Sequence, residues 1–369
     1  MAIKILSDIV TVVSEHIANP STSEYDIFVG LEHYDAGEPV ITRYGSTAQL
    51  ESSVKHFNEG DILVARRNVY LKRAGVVKFE GVTSGDSIVL RVKDERYKAI
   101  IPFLLNTEEF WDYAEQNSDG TMSKRLAPDV LLEYECDIPD NHKEIADKLW
   151  AAYELKEAYK KMIAATDEMV KSQFIEMFGA CTHNVYLSTL CNVFIDGDWI
   201  ESKDQSDVGI RLIQTGNIGD GYFRDKDDKA RYISEQTFEH LKCTEVFPND
   251  ILISRLPDPI GRACVIPDGI GKSITAVDCT IVRLSDKILP EFFVAYTKTP
   301  MYQRQINEVA TGTTRRRVSR ANLGNIKITC PSLDKQQQFV DIVNQADKSK
   351  FELRQAIEKI DKVMKSLLQ

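Results

Sequence analysis

Residues 120–139 read GTMSKRLAPDVLLEYECDIP, and residues 312–331 read GTTRRRVSRANLGNIKITCP. The two stretches align without a gap at an offset of 192 residues. Each leads at once into a long helix-patterned segment, and each follows a variable stretch rich in strand-like runs. Self-similarity at a fixed period marks a repeated architecture, here one unit and one helix per copy. The expected fold is mixed α+β: two tandem units with mixed β-sheets, separated by two long antiparallel coiled-coil helices, with approximate two-fold symmetry. The expected parts are 1–140, a helix over 141–179, 180–331, and a helix over 332–369.

The helices carry the clearest periodicity. In the first, Ile145, Leu149, Ala152, Lys156, Tyr159, Ile163, Thr166, Val170 and Gln173 step by alternating four and three. In the second, Phe339, Val343, Ala346, Lys350, Leu353, Ile357, Ile360, Met364 and Leu367 do the same at an offset of 194, with a Lys at the same step. That alternation is the a/d seam of a coiled coil. Two separate amphipathic helices, each packed on its own unit, would show it too; shared length and phase favour pairing. A helix of about 33 residues makes a rod of roughly 50 Å. Such a rod separates two units by more than one ~34 Å turn of duplex DNA, or about one turn after tilt.

Within the units, Tyr25–Leu31, Asp61–Ala65, Ala74–Phe79 and Ser87–Val92 are Val/Ile-rich runs bounded by Gly and Asp, and read as strands. Residues 102–116 (PFLLNTEEFWDYAEQ) begin at a proline and read as a helix. The second unit follows the same order. Leu187-Ser188 matches Leu6-Ser7, and Gly209–Thr215 is the counterpart of the Tyr25 strand. Asn249-Asp250-Ile251-Leu252 lies over Gly60-Asp61-Ile62-Leu63, Ala263–Ile266 over Gly75–Lys78, Thr280–Leu284 over the Ser87 strand, and the helix 290–309 over 102–116.

Composition narrows the class. At 369 residues two to three domains are expected. No apolar run approaches the ~20 residues of a membrane span, and the N-terminus makes a poor signal peptide. The seven cysteines are odd in number and lack C-x-x-C spacing, and the histidines show no ligand spacing. Reduced buried thiols, a cytoplasmic location and no metal site are expected. The net charge of −10 argues against non-specific nucleic-acid binding. The acids crowd the long helices, while short basic clusters sit elsewhere.

These features together resemble the specificity subunit of type I restriction–modification systems. The resemblance rests on residues 249–266 (NDILISRLPDPIGRACVI), 312–318 (GTTRRRV), 328–338 (ITCPSLDKQQQ) and 214–221 (QTGNIGDG), and extends over the full length in two copies. It implies that each variable unit is a target-recognition domain reading double-stranded DNA. It implies that the helices form a spacer docking two methyltransferase subunits, and that the site read is bipartite with a fixed gap. S-adenosylmethionine, ATP and Mg are then expected on partner subunits, including a nuclease/translocase, and no cofactor on this chain. The first copy departs from the pattern: Arg66-Arg67-Asn68-Val69-Tyr70 replaces the Pro/Gly turn at 256–261. Two unlike half-targets follow.

The candidate DNA-binding residues are the basic and amide side chains of the loops. After the first Asp-Ile-Leu strand come Arg66, Arg67, Lys72 and Arg73; Arg255 and Arg262 hold the corresponding turn in the second unit. Lys124 and Arg125, and Thr313, Thr314, Arg315, Arg316, Arg317 and Arg320, belong to the repeated stretch. Hydroxyls and guanidinium groups suit phosphate, and Arg pairs bidentately with guanine O6 and N7. Ordinary surface charge is as good an account of any single member, and three adjacent arginines cannot all point one way. Gln214 and Asn217 suit adenine, although amides in Gly-rich loops more often form turns. Phe110, Trp111, Tyr113, Phe292, Phe293 and Tyr296 have helical spacing and read as core. The sequence holds no S-adenosylmethionine fingerprint, no Asn/Asp-Pro-Pro-aromatic motif, no phosphate loop of correct spacing and no nuclease carboxylate–lysine set. A non-catalytic chain is expected.

Overall fold

The computed structural model describes residues 2–120, 123–313 and 316–368. Two compact units emerge: Met1–Lys160 with Arg354–Gln369, and Lys161–Leu353. This division differs from the four expected parts. The long helices are not free-standing spacers, because each is shared between the units and each half packs on a core of its own.

The first unit is built on four strands: β1 (Val10–Val13), β2 (Ile62–Ala65), β3 (Ala74–Val77) and β4 (Ser87–Val92). They lie antiparallel in the order β1-β4-β2-β3, with Val40–Ile41 added in parallel beyond β3. The second unit repeats the arrangement with β5 (Cys191–Asp196), β6 (Ile251–Ser254), β7 (Ala263–Val265) and β8 (Cys279–Leu284) in the order β5-β8-β6-β7. The repetition extends to register. Leu63 faces Gly75 and Val89; Leu252 faces Cys264 and Ile281. Ala263 therefore stands where Ala74 does, one residue from the match expected from sequence. A second sheet holds a parallel pair in both units, Ile27–Val29 with Gly81–Thr83 and Ile210–Ile213 with Ser273–Thr275, so the sheets are mixed as expected.

The same ion pair locks each central sheet. Arg91 grips Asp61 through Nε (2.8 Å) and Nη2 (2.7 Å); Arg283 grips Asp250 through the same atoms (2.7 Å each). Each carboxylate also accepts one backbone N–H, from Asn58 (2.8 Å) or Phe247 (2.9 Å). The residue before each Asp is left-handed, Gly60 at φ +88° and Asn249 at φ +69°. Glycine and, less freely, asparagine tolerate that conformation.

The helix expected over 102–116 is two, Ile101–Leu104 and Glu108–Gln116; that over 290–309 is also two, Pro290–Thr297 and Pro300–Val309. A threonine starts the second helix in each unit: Thr107 Oγ1 accepts the Phe110 N–H and Thr299 Oγ1 the Tyr302 N–H, both at 3.3 Å. Such a cap satisfies an otherwise orphaned donor and favours a new start over continuation.

The long helices are α1 (His142–Phe178) and α2 (Leu333–Leu367). In the first unit the beginning of α1 lies with the end of α2. Leu149 and Tyr153 join the core on which Met364 and Leu367 pack. In the second unit the end of α1 lies with the beginning of α2, where Phe178 meets Phe292 (5.4 Å) and Phe339 (5.7 Å between centroids). The helices are antiparallel, and they pack both on each other and on the units. All the expected seam residues are buried or half-buried.

The seam lysines carry reciprocal ion pairs. Lys156 Nζ lies 2.7 Å from Asp361 and 3.0 Å from Glu38; Lys350 Nζ lies 2.7 Å from both Asp167 and Asp347. Lys350 follows Lys156 by 194 residues, and Asp361 follows Asp167 by 194. Burial alone would lower the Lys350 ammonium; the two aspartates reverse that and hold it above the usual lysine value. A buried charge in a seam adds little stability but fixes register, because any slip leaves it unpaired. Lys350→Glu is expected to lower the unfolding free energy by about 3 kcal/mol, and Lys350→Met by less than about 1 kcal/mol, as read by urea denaturation.

Candidate nucleic-acid interface

At the end of each sheet opposite the locked carboxylate, three chain segments converge. Where β2 ends, the Arg66 N–H donates to the Asp86 carbonyl (2.9 Å), and the Arg66 carbonyl accepts the Leu126 N–H (2.8 Å). The second unit repeats both bonds, Arg255 N–H to the Asp278 carbonyl (2.9 Å) and Val318 N–H to the Arg255 carbonyl (3.2 Å). The third segment is the repeated stretch, closed as a hairpin by paired backbone bonds between Asp119 and Arg125 (2.8 and 3.1 Å) and between Thr311 and Arg317 (2.8 and 2.9 Å). Its first turn residue is left-handed in both, Gly120 at φ +98° and Gly312 at φ +101°, which is why glycine opens each copy.

In the first unit this convergence makes a cationic edge. Asp86 holds two half-exposed arginines, Arg125 at 2.5 Å and Arg67 at 3.5 Å. Arg67 also donates to the Ser123 hydroxyl (3.2 Å). Arg66 is half-buried; burial and then the like charge of Arg125 lower its pKa. Lys55, which the sequence reading missed, donates to the Ser87 carbonyl (2.9 Å), and burial followed by Arg66 lowers its ammonium too. Like charges gathered beside half-buried cations create a local field that an incoming anion relieves. Nothing in the strand Val54–Phe57 signals Lys55, since its role comes from the sheet beside it.

Other predicted cations here are tied down. The Lys72 ammonium bonds the Glu108 carboxylate, Arg73 donates to the carbonyls of Leu31 (3.0 Å) and Arg67 (3.2 Å), and Lys124 donates to the Glu115 carbonyl (2.9 Å).

The second unit builds its edge differently. Arg317 lies 3.4 Å from Asp278, Arg320 lies 3.8 Å from Asp196, and both arginines are half-exposed. Arg316 is exposed and donates to the Asn307 carbonyl (2.8 Å). Thr313 is exposed, while Thr314 and Arg315 lie outside the described residues. Two predicted arginines face inward. Arg255 is buried, donates to the Val277 carbonyl and lies 3.5 Å from Asp196. Arg262 is buried and donates to four carbonyls, those of Ile218 (2.8 Å), Leu256 (2.9 Å), Pro259 (3.1 Å) and Thr215 (2.9 Å). Arg262 is the hub of this turn, with no guanidinium face left for a ligand. Asn217 likewise serves the fold: its carbonyl accepts the Gln214 N–H (2.9 Å) and its amide donates to the Arg224 carbonyl (3.0 Å). Gln214 is half-buried beside it.

Among the described residues no group of His, Cys, Asp and Glu could hold a metal ion, and no helix is long and apolar enough to cross a membrane. All seven cysteines are free. Burial raises the thiols of Cys136, Cys191, Cys264 and Cys279 to about 12. The aromatic residues Phe110, Trp111, Phe292, Phe293 and Tyr296 are core, as their spacing implies.

A profile of the type I restriction modification DNA specificity domain matches residues 183–362, the second unit's strands and hairpin and most of α2. Over those residues the chain is similar to the type I restriction–modification specificity family. It is 25% identical over 174 residues to the type I restriction enzyme EcoBI specificity subunit of Escherichia coli, covering 46% of this chain and 36% of that protein. The match thus spans about a third of the relative's length. Two solved structures share the fold over 100% of this chain. One, from a study of complex assembly and conformational transition in a type I restriction–modification system, has a TM-score of 0.60 at 16% identity over 96% of its chain. The other, a type I S subunit from M. genitalium, has 0.51 at 15% over 94%.

The specificity-domain profile falls on the second unit, and the first shares its strand order, register, locked carboxylate and glycine-opened hairpin. The inward and outward arginines should separate by stability. Arg262→Met, which removes a buried side-chain donor shared by four carbonyls, is expected to cost about 3 kcal/mol, whereas Arg317→Ala should stay within about 0.5 kcal/mol, both read by thermal unfolding.

Proposed function

We propose that this chain is the DNA sequence-recognition subunit of a type I restriction–modification complex. It reads a bipartite, asymmetric site in duplex DNA and docks two methyltransferase subunits. It performs no chemistry itself. Adenine methylation with S-adenosylmethionine belongs to the methyltransferases, and ATP- and Mg-dependent steps to a nuclease/translocase partner. The observation that carries the reading is one rigid frame used twice, with a basic edge at the same place in both copies and different loops on each.

The edges suit that task. Arg67 and Arg125 in one unit, and Arg317 and Arg320 in the other, stand half-exposed on carboxylates that orient them. An oriented guanidinium fits guanine O6 and N7 in the major groove, where all four base pairs differ. The body is acidic, at net charge −10, so non-specific attraction to phosphate is weak and binding depends on matched loop contacts and on partner subunits. Two unlike readers on one chain let a symmetric pair of enzymes act on an asymmetric site. The paired helices set the gap between half-sites.

Mapping methyladenine in cells with and without this gene tests the reading. A gapped, two-part motif should vanish on deletion; a pattern unchanged while the methyltransferase is expressed refutes it and leaves a coiled-coil interaction scaffold. Arg125→Ala is expected either to relax one motif position at about 1–3 kcal/mol or to reduce the salt slope of binding by about one. Deleting one heptad from both helices should change the gap or abolish methylation; an unchanged motif removes the ruler role.

A further inference from the structure

The turn that follows β2 differs between the units, and the difference is apolar. In the second unit it runs through residues 256–261 (LPDPIG), with Leu256 and Ile260 buried and Asp258 and Pro259 exposed. In the first it is a single tight turn, Val69–Leu71, bracketed by two left-handed non-glycine residues, Asn68 (φ +55°) and Lys72 (φ +49°). Val69 is buried, whereas Tyr70 is 54% and Leu71 39% exposed.

This tip is exposed but firmly held. The Asn68 N–H donates to the Lys124 carbonyl (2.9 Å), and the Asn68 side-chain carbonyl accepts the Ser123 hydroxyl (3.0 Å). The Lys72 carbonyl accepts the Gly37 N–H (3.0 Å), and the Lys72 ammonium bonds Glu108. Left-handed backbone at non-glycine residues costs about 1–2 kcal/mol each and persists only where the surroundings over-determine it. Here it holds a tyrosine and a leucine only partly covered, with apolar surface left facing solvent. The hairpin that supports the tip also carries Arg125, and Arg73 donates to the carbonyl of Arg67 behind it (3.2 Å). A pair of apolar side chains set among arginines fits a polyanion with apolar groups on its surface better than an apolar protein face.

Resting on the DNA-recognition reading above, we propose that Tyr70 and Leu71 are specificity-determining contacts. They form a preformed apolar tip that packs on thymine 5-methyl groups in the major groove of the first half-site. That methyl is the apolar group a base pair offers there. The tip recognises A·T pairs by burying it, while Arg67 and Arg125 engage the surrounding phosphates and purine edges. The second unit has no such tip, so thymine-methyl readout through this turn belongs to one half-site alone.

The test uses the full chain with its methyltransferase partners and a duplex carrying the motif read from the methylation map. Thymines of each half-site are replaced singly by deoxyuridine, which removes only the methyl group. The native complex should lose roughly fourfold in affinity at one or two positions of the first half-site, the worth of one buried methyl-sized group. The Tyr70→Ala/Leu71→Ala variant should bind the parent duplex more weakly, be indifferent to deoxyuridine at those positions, and methylate a motif relaxed there with the other half intact. Val69 remains in place, so its melting temperature should stay close to native. A variant that keeps the native motif and the native deoxyuridine penalty overturns the proposal. So does a first half-site without an A·T pair. A variant that loses methyltransferase binding with an unchanged motif overturns it in favour of a protein-docking role. If the native complex reads no motif, the DNA reading beneath it falls as well.

Discussion

A carboxylate almost without solvent, gripped at both oxygens by one arginine, sits at the same point in each unit: Asp61 with Arg91, and Asp250 with Arg283. Each carboxylate stands at the start of one strand, and its arginine near the end of the neighbouring one. Bidentate geometry tolerates no slip, since a shift of one residue would turn the arginine to the other face of the sheet. The register so fixed decides what happens at the opposite end. It places Ala65 against Ser87 and Ser254 against Cys279, so that Arg66 meets Asp86 and Arg255 meets Asp278. The repeated hairpin then docks on Arg66 and Arg255 through the same backbone bond. The basic edge is thus a consequence of an ion pair at the far end of the strands, and its side chains can vary while its position stays fixed.

The helices use buried charge in the same way. An all-apolar seam would pair well in several registers, because leucine and isoleucine accept one another at any heptad offset. Lys156 and Lys350 remove that freedom. Each is nearly covered, and each has an aspartate of the other helix at 2.7 Å. Shifted by one heptad, either lysine would lose that partner while remaining desolvated, which costs more than the pair contributes in place. The cross-helix lysine and aspartate also lie at matching steps of the two helices, so one register satisfies both pairs.

How much of this could be read from the chain follows from which forces leave a local trace. The repeat, the strand Ser87–Val92 and both heptad seams were legible because burial writes a period into the sequence. The helix breaks at Thr107 and Thr299 were not, since the apolar period continues across them and the new start is marked only by a hydroxyl, joined at the second by Pro300. Charge was the least legible property. Arg262 and Arg317 are the same residue type in similar loops, yet one is a buried hub for carbonyls and the other stands half in solvent. Lys55 belongs to the basic edge through a strand neighbour more than 30 positions away. Whether a cation faces solvent or backbone is decided by tertiary contacts that no spacing records.

The unequal edges then acquire a physical meaning. In the first unit Lys55, Arg66, Arg67 and Arg125 gather about Asp86; in the second, Arg255, Arg317 and Arg320 share Asp196 and Asp278. The first edge gathers its cations about one aspartate beside an apolar tip, and the second spreads its arginines over two aspartates around a turn held by Arg262. A partner with identical halves would be met unequally by these surfaces. A partner whose two ends differ in chemistry would not, and a duplicated frame with divergent loops is the arrangement that meets it.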